Sequence, residues 1–95
     1  MIEATDPRLT DVLAALSDPV RRAIVRGLAE GGPQPCGVFT RLGVSNSTLS
    51  HHFRVLRAAG VIETREEGRL RISSLRRDDL EQRYPGLLGL VTAER

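Results

Sequence analysis

A chain of 95 residues makes one domain, and at that size only about 60–65% of the unfolded surface is buried, which leaves a modest core. One cysteine, Cys36, excludes an internal disulfide, and without a basic leader or any apolar run near the roughly 20 residues of a membrane span the sequence predicts a soluble, cytoplasmic protein. The formal net charge of +2 excludes little alone, but it is unevenly placed: residues 1–40 hold four Arg against five acids, residues 41–77 eight against three, and residues 78–95 two against four.

The basic middle is built from arginine alone, since the chain has no lysine. Arginine suits bidentate contacts to phosphate or guanine, although an all-arginine chain equally fits a bias in base composition.

Leu9, Val12, Leu13 and Leu16 recur at i, i+3, i+4 and i+7, which predicts a first helix with one apolar face. In "LSDPVRRAIVRGLAEGGP" Asp18 is placed to accept a backbone N–H as N-cap, and Pro19 suits the first helical position. Val20, Ala23, Ile24 and Leu28 form the buried stripe of this second helix, which Gly31, Gly32 and Pro33 end. A short helix follows from about Cys36 to Leu42, with Val38, Phe39 and Leu42 as its apolar residues. Gly43-Val44 turns the chain, Ser45 caps the next helix, and that helix runs to Gly60. Two helices joined by a short glycine turn make a helix-turn-helix, here about residues 36–60.

Beyond Gly60 the period becomes two. "VIETREEGRLRISSL" sets Ile62, Thr64, Leu70 and Ile72 on one face and Glu63, Arg65, Arg69, Arg71 and Ser73 on the other, with Glu67-Gly68 at the reversal. A basic hairpin directly after such a helix is a wing, about residues 61–75. A further helix from Asp78 to Tyr84 buries Leu80, and Pro85 ends it. Leu87, Leu88, Leu90 and Val91 form a last apolar cluster. With Leu9, Val12, Leu13 and Leu16 they make a candidate dimer seam, and residues 77–93 the dimerisation segment. The fold class is therefore mainly α with a small β-hairpin, a winged helix-turn-helix spanning residues 1–95. No repeat, linker or low-complexity segment interrupts it.

On the helix after the turn, Leu49, Phe53 and Leu56 fall within roughly 60° of one another and define its buried side. Ser47, His51, Arg54 and Ala58 then point outward, flanked by Thr48 and Ser50, with Asn46 near the tip. Short side chains let a backbone approach base edges, and Ser, Thr, Asn, His and Arg supply donors and acceptors for bases and phosphates. Exposed polar faces are ordinary on helices. What sets this one apart is its setting, between a glycine turn and a basic hairpin in the positive part of the chain. The expected DNA contacts are Ser45, Asn46, Ser47, Thr48, Ser50, His51 and Arg54, with Arg65, Arg69 and Arg71 on the wing.

His51 and His52 diverge by about 100° on a helix and cannot chelate one ion without further ligands, so no metal site or cofactor is expected. His52, nearer the core edge, reads as a packing residue. Ser50 beside His51 is only sequence proximity, and no paired carboxylates, phosphate-cradling loop or metal cluster supports an enzyme.

"LSDPVRRAIVRGLAEG" and "LGVSNSTLSHHFRVLRAAGVIETREEGR" closely resemble the ArsR/SmtB-type family of bacterial winged-helix repressors over about residues 9–77. The resemblance implies a homodimer on an inverted-repeat operator, with Ser45 to Arg54 in the major groove, the wing near phosphates or the minor groove, and release when an inducer binds. Many members sense metal through a Cys-Val-Cys pattern; Cys36 falls on its second cysteine and Gln34 on its first, so the pattern is broken. A second site on the C-terminal helix needs histidine, and none follows His52. Two alternatives stay open: a metal- or thiol-responsive sensor using Cys36, and a winged-helix protein-interaction module whose apolar tail docks a partner.

Overall fold

The computed structural model describes residues 6–94. In chain order its elements are α1 (Leu9–Ala15), α2 (Pro19–Gly31), β1 (Gln34–Pro35), a 3-10 helix (Cys36–Leu42), α3 (Asn46–Ala58), β2 (Ile62–Glu67), β3 (Leu70–Leu75), α4 (Arg77–Arg83) and α5 (Leu87–Ala93). The helical arrangement and the hairpin are those expected. The added element is β1, which pairs antiparallel with β3 (Gln34 opposite Ser73, Pro35 opposite Ile72) and makes a three-stranded sheet in the order β1-β3-β2.

Local chemistry explains the boundaries. The Asp18 carboxylate accepts from the backbone N–H groups of Val20 (2.8 Å) and Arg21 (3.1 Å), and Pro19 opens α2 where no N–H is needed. At the start of α3, Ser45 Oγ accepts from the Thr48 backbone N–H at 3.2 Å. The end of α3 is a Schellman closure: Gly60 N–H donates to Arg57 O and Val61 N–H to Leu56 O, each at 3.0 Å. Gly60 supplies the positive φ of 79° that this closure requires. Val61 and Leu56, both fully buried, make the apolar contact that accompanies it.

The core runs through every helix and the base of the hairpin, joining Val12, Ile24, Val25, Leu28, Phe39, Leu49, Phe53, Leu56, Val61, Ile62, Leu80, Leu88 and Val91. Phe39 and Phe53 meet edge to face, ring centroids 5.7 Å apart, which locks the 3-10 helix to α3. Tyr84 Oη donates to Pro7 O at 2.7 Å, tying the end of α4 to the start of the chain. Glu94, at the end of α5, pairs with Arg22 (2.7 Å) and Arg26 (2.8 Å) of α2. Among the described residues no helix is long and apolar enough to cross a membrane.

Four expectations change. The segment from Cys36 to Leu42 winds as a 3-10 helix, and of its three apolar residues Phe39 is buried, Leu42 partly buried and Val38 exposed. The hairpin reverses one residue later than expected, at Gly68-Arg69. Gly68 has φ 61° and Arg69 does not have positive φ, which is the type II′ pattern of a two-residue hairpin. The ladder therefore pairs Thr64 with Ser73, Arg65 with Ile72 and Glu66 with Arg71. Directly opposed residues share a face, so Arg71 and Ser73 lie with Ile62 and Thr64, and Ile72 lies with Arg65. Finally, Val12, Leu16, Leu88 and Val91 of the expected dimer seam are buried within the subunit. Leu9, Leu13 and Leu90 are exposed and Leu87 is partly buried.

Candidate nucleic-acid interface

The buried stripe of α3 is Leu49, His52, Phe53 and Leu56. Its rotation is thereby fixed, and Asn46, Ser47, Thr48, Ser50, His51 and Arg54 are all exposed on the other side. Ser45 is exposed too, but its hydroxyl is committed to the helix start: besides accepting from the Thr48 N–H it donates to Thr48 Oγ1 at 2.9 Å. The Thr48 hydroxyl keeps its own proton to offer outward.

His52 is where the helix is pinned from behind. Arg21 Nη1 lies 3.1 Å from its Nδ1, while Arg21 Nε donates to Ala15 O at 2.6 Å. One arginine thus joins the end of α1 to the inner side of α3. The two histidine rings stand 5.8 Å apart at 53° and point into different surroundings, His51 to solvent and His52 to the core edge. Among the described residues no cluster of three or more His, Cys, Asp or Glu is placed to hold a metal ion.

The three wing arginines do not share one surface. Arg65 is on the outer face, ion-paired with Glu67, with Nη1 3.5 Å from Ser74 Oγ. Arg69 sits in the exposed turn. Arg71 is on the opposite face and lines a crevice of about 330 Å³ between the 3-10 helix, α3 and β3. Asn46, Ser50 and Arg54 of the outward helix face line the same crevice, together with Cys36 and Arg57. The sequence reading missed Arg57. Its signal was available, since it lies one turn beyond Arg54, but it also neighbours the buried stripe at Leu56.

Burial holds the half-buried Arg57 guanidinium below the usual arginine range, and repulsion from Arg71 and Arg54 adds to it. Cys36 Sγ is 3.3 Å from Ser73 Oγ, which is 3.2 Å from Thr64 Oγ1, so a file of small polar groups crosses from the 3-10 helix through β3 to β2. Ser73 is completely buried and owes its place to these partners.

A capped helix with a free polar face, set by a glycine-turned partner and followed by a basic hairpin, defines a winged helix-turn-helix DNA-binding domain. Comparison with known proteins agrees. A model of the helix-turn-helix domain matches residues 16–65. YceK, an uncharacterized helix-turn-helix-type transcriptional regulator of Bacillus subtilis (strain 168), is 37% identical over 90 residues, covering 93% of this chain and 90% of YceK. The transcriptional repressor SdpR of the same organism is 30% identical over 84 residues, covering 87% of this chain and 92% of SdpR. Among solved structures, the homodimeric winged helix-turn-helix domain Mb0332 of Mycobacterium bovis, described as a possible ArsR-family regulator, superimposes with a TM-score of 0.73 at 26% identity, covering 92% of this chain and 80% of that one. The chain belongs to the ArsR/SmtB-type family of winged helix-turn-helix transcriptional regulators, which are not enzymes.

Proposed function

We propose that this regulator is a homodimeric repressor that lays α3 into the major groove of each half of an inverted-repeat operator, with half-sites about one helical turn, roughly 10 bp, apart. Asn46, Ser47, Thr48, Ser50, His51 and Arg54 contact base edges and phosphates, Ser45 holds the helix start, and Arg65, Arg69 and Arg71 steer the wing along the backbone. The observation that carries the reading is the division of α3: its inner side is filled by Leu49, His52, Phe53 and Leu56, and its outer side is an unbroken exposed row of short polar residues ending in Arg54. Such a row admits close backbone approach and offers both donors and acceptors.

The homodimeric state of Mb0332 supports pairing of two copies. The surface for it is the exposed remainder of the apolar set, Leu9, Leu13 and Leu90. Leu13, Leu87 and Leu90 also line an open groove of about 380 Å³ between α1 and α5. Gln34 stands where the family's Cys-Val-Cys pattern has its first cysteine, and no histidine follows His52, so the signal we propose is other than the familiar metal sites. A repressor acts where the chromosome is, in the cytoplasm.

The test is binding of the purified protein to a duplex from immediately upstream of its own coding sequence and to a scrambled duplex, across a salt series. Preferential binding that persists at physiological salt supports the reading. Equal, salt-labile binding to upstream, scrambled and genome-selected duplexes removes it.

A further inference from the structure

We propose that the crevice bounded by Arg54, Arg57 and Arg71 is an oxyanion pocket that takes a phosphate group, either from the DNA backbone or from a free phosphorylated small molecule. What sets these three arginines apart is a shared cavity, since Arg8, Arg21, Arg41, Arg69 and Arg77 also form no ion pair among the described residues. Arg22, Arg26, Arg65, Arg76 and Arg83 each pair with a carboxylate. Arg54, Arg57 and Arg71 line one cavity, which has no carboxylate among its lining residues, and they form no ion pair among the described residues.

Arg57 is half-buried and shares one lining with the exposed Arg54 and Arg71; besides its own burial, repulsion from both lowers it, so the three cations gather there at a cost. Glu66 is the residue opposite Arg71 in the ladder, and it makes no ion pair with it. Among the other lining residues Asn46, Ser50 and Thr40 bring hydrogen-bonding capacity, and none is a carboxylate. Three planar guanidiniums match a phosphate, which accepts bidentate pairs on several oxygens and carries up to two charges; a single carboxylate would leave most of the positive charge unmatched. A volume of about 330 Å³ admits a phosphate with a small body attached.

The location gives the pocket a consequence that rests on the DNA-binding reading above. Asn46, Ser50 and Arg54 belong both to the crevice and to the outward face of α3. A free phosphate compound seated there occupies side chains that the operator needs, so it competes with DNA. If instead the occupant is a backbone phosphate, Arg57 and Arg71 clamp the strand beside the recognition helix.

The two sources separate in two measurements. First, thermal unfolding of the DNA-free protein is followed in inorganic phosphate and in chloride at matched ionic strength, for the wild type, Arg57→Gln, Arg71→Gln and a remote control, Arg8→Gln. A phosphate-specific rise in Tm that persists in Arg8→Gln and disappears in both pocket variants assigns the pocket to a free anion. Second, the salt dependence of duplex binding is compared for wild type and Arg57→Gln. A slope smaller by about one, worth a three- to fourfold smaller loss of affinity between 50 and 200 mM salt, assigns it to a backbone phosphate. Arg71 is exposed, so Arg71→Gln remains informative should Arg57→Gln unfold. No phosphate-specific shift together with an unchanged slope overturns the proposal. Failure of the wild type to bind any duplex overturns the DNA reading alone, because the first measurement needs no DNA.

Discussion

Nη1 of Arg21 lies 3.1 Å from Nδ1 of His52, across 31 residues of sequence. A guanidinium has only donors, so Nδ1 is the acceptor and the ring proton sits on Nε2. The contact fixes the tautomer of His52 and ties α3, already oriented by its buried stripe, to the end of α1. Arg21→Ala leaves a nearly buried ring nitrogen without its partner and removes the bond to Ala15 O. It is expected to lower stability by about 1–3 kcal/mol in urea denaturation. A loss under 0.5 kcal/mol would show that the contact is incidental.

The neighbouring histidine should behave in the opposite way. His51 is exposed, and nothing in the core depends on it, so His51→Ala is expected to change stability by less than about 0.5 kcal/mol. Its effect falls on specific operator binding, weakened by about 1–3 kcal/mol, with non-specific affinity little changed. Titration of the variant against specific and scrambled duplexes checks both halves.

Two carboxylates in particular should make stability fall in acid. Burial tends to raise the Asp18 carboxyl, but the Arg21 and Val20 backbone N–H groups and the nearby positive charge outweigh it and hold it below the usual value. The hydrogen bond from Arg22 holds Glu94 low against its desolvation, and the Arg22 and Arg26 charges add to it. A carboxyl depressed in the folded state takes up its proton more readily when unfolded, so its stabilisation is complete above the ordinary carboxylate range. That stabilisation is lost as pH falls through the lowered values, mainly below about pH 4.5. Asp18→Asn keeps a capping oxygen but cannot titrate, so its stability should fall less steeply between pH 5 and 3 than that of the wild type. Denaturant midpoints at several pH values measure the difference.

The split of the apolar tail and first helix predicts two kinds of variant. Leu13→Glu and Leu90→Glu change exposed residues and should convert a dimer into a folded monomer in sedimentation velocity. Val12→Ala lies one position away but truncates a fully buried side chain, and should lower subunit stability by about 1–3 kcal/mol. A folded dimer that tolerates both glutamates would move the seam elsewhere.

Much of this was legible in the sequence because it rests on local rules. Asp18-Pro19, Ser45 and Gly60 mark helix ends by backbone chemistry that does not depend on the rest of the fold, and Leu49, Phe53 and Leu56 orient α3 by spacing alone. The exposed polar row followed from that orientation. Where long-range pairing decides, the reading failed. Gln34-Pro35 is too short to show a period, and becomes a strand only because Ser73 and Ile72 lie beside it. A reversal moved by one residue put Ser73 in the interior and turned Arg71 toward α3. Alternation along one strand cannot reveal that, because the register belongs to both strands. The same limit hid Arg57: its meaning comes from β3, which reaches it across the fold. The tail was divided between core and surface for another reason. Apolar spacing identifies a face to be covered, but it does not say whether the cover is the same subunit or the next.

The Schellman closure at Gly60 has a mechanical side. Val61 donates its N–H back to Leu56 O in the last turn of α3, and its carbonyl accepts from Arg76 N–H at 2.9 Å where the hairpin ends. The junction is therefore fastened to the helix on one side and to the far end of β3 on the other, with no slack residue between them. Helix α3 and the hairpin are thereby joined as one stiff unit. In the proposed repressor, adjustment to operators that differ in curvature or half-site spacing would fall to the DNA and to the seam between subunits, while the grip of each half on its own site keeps its shape.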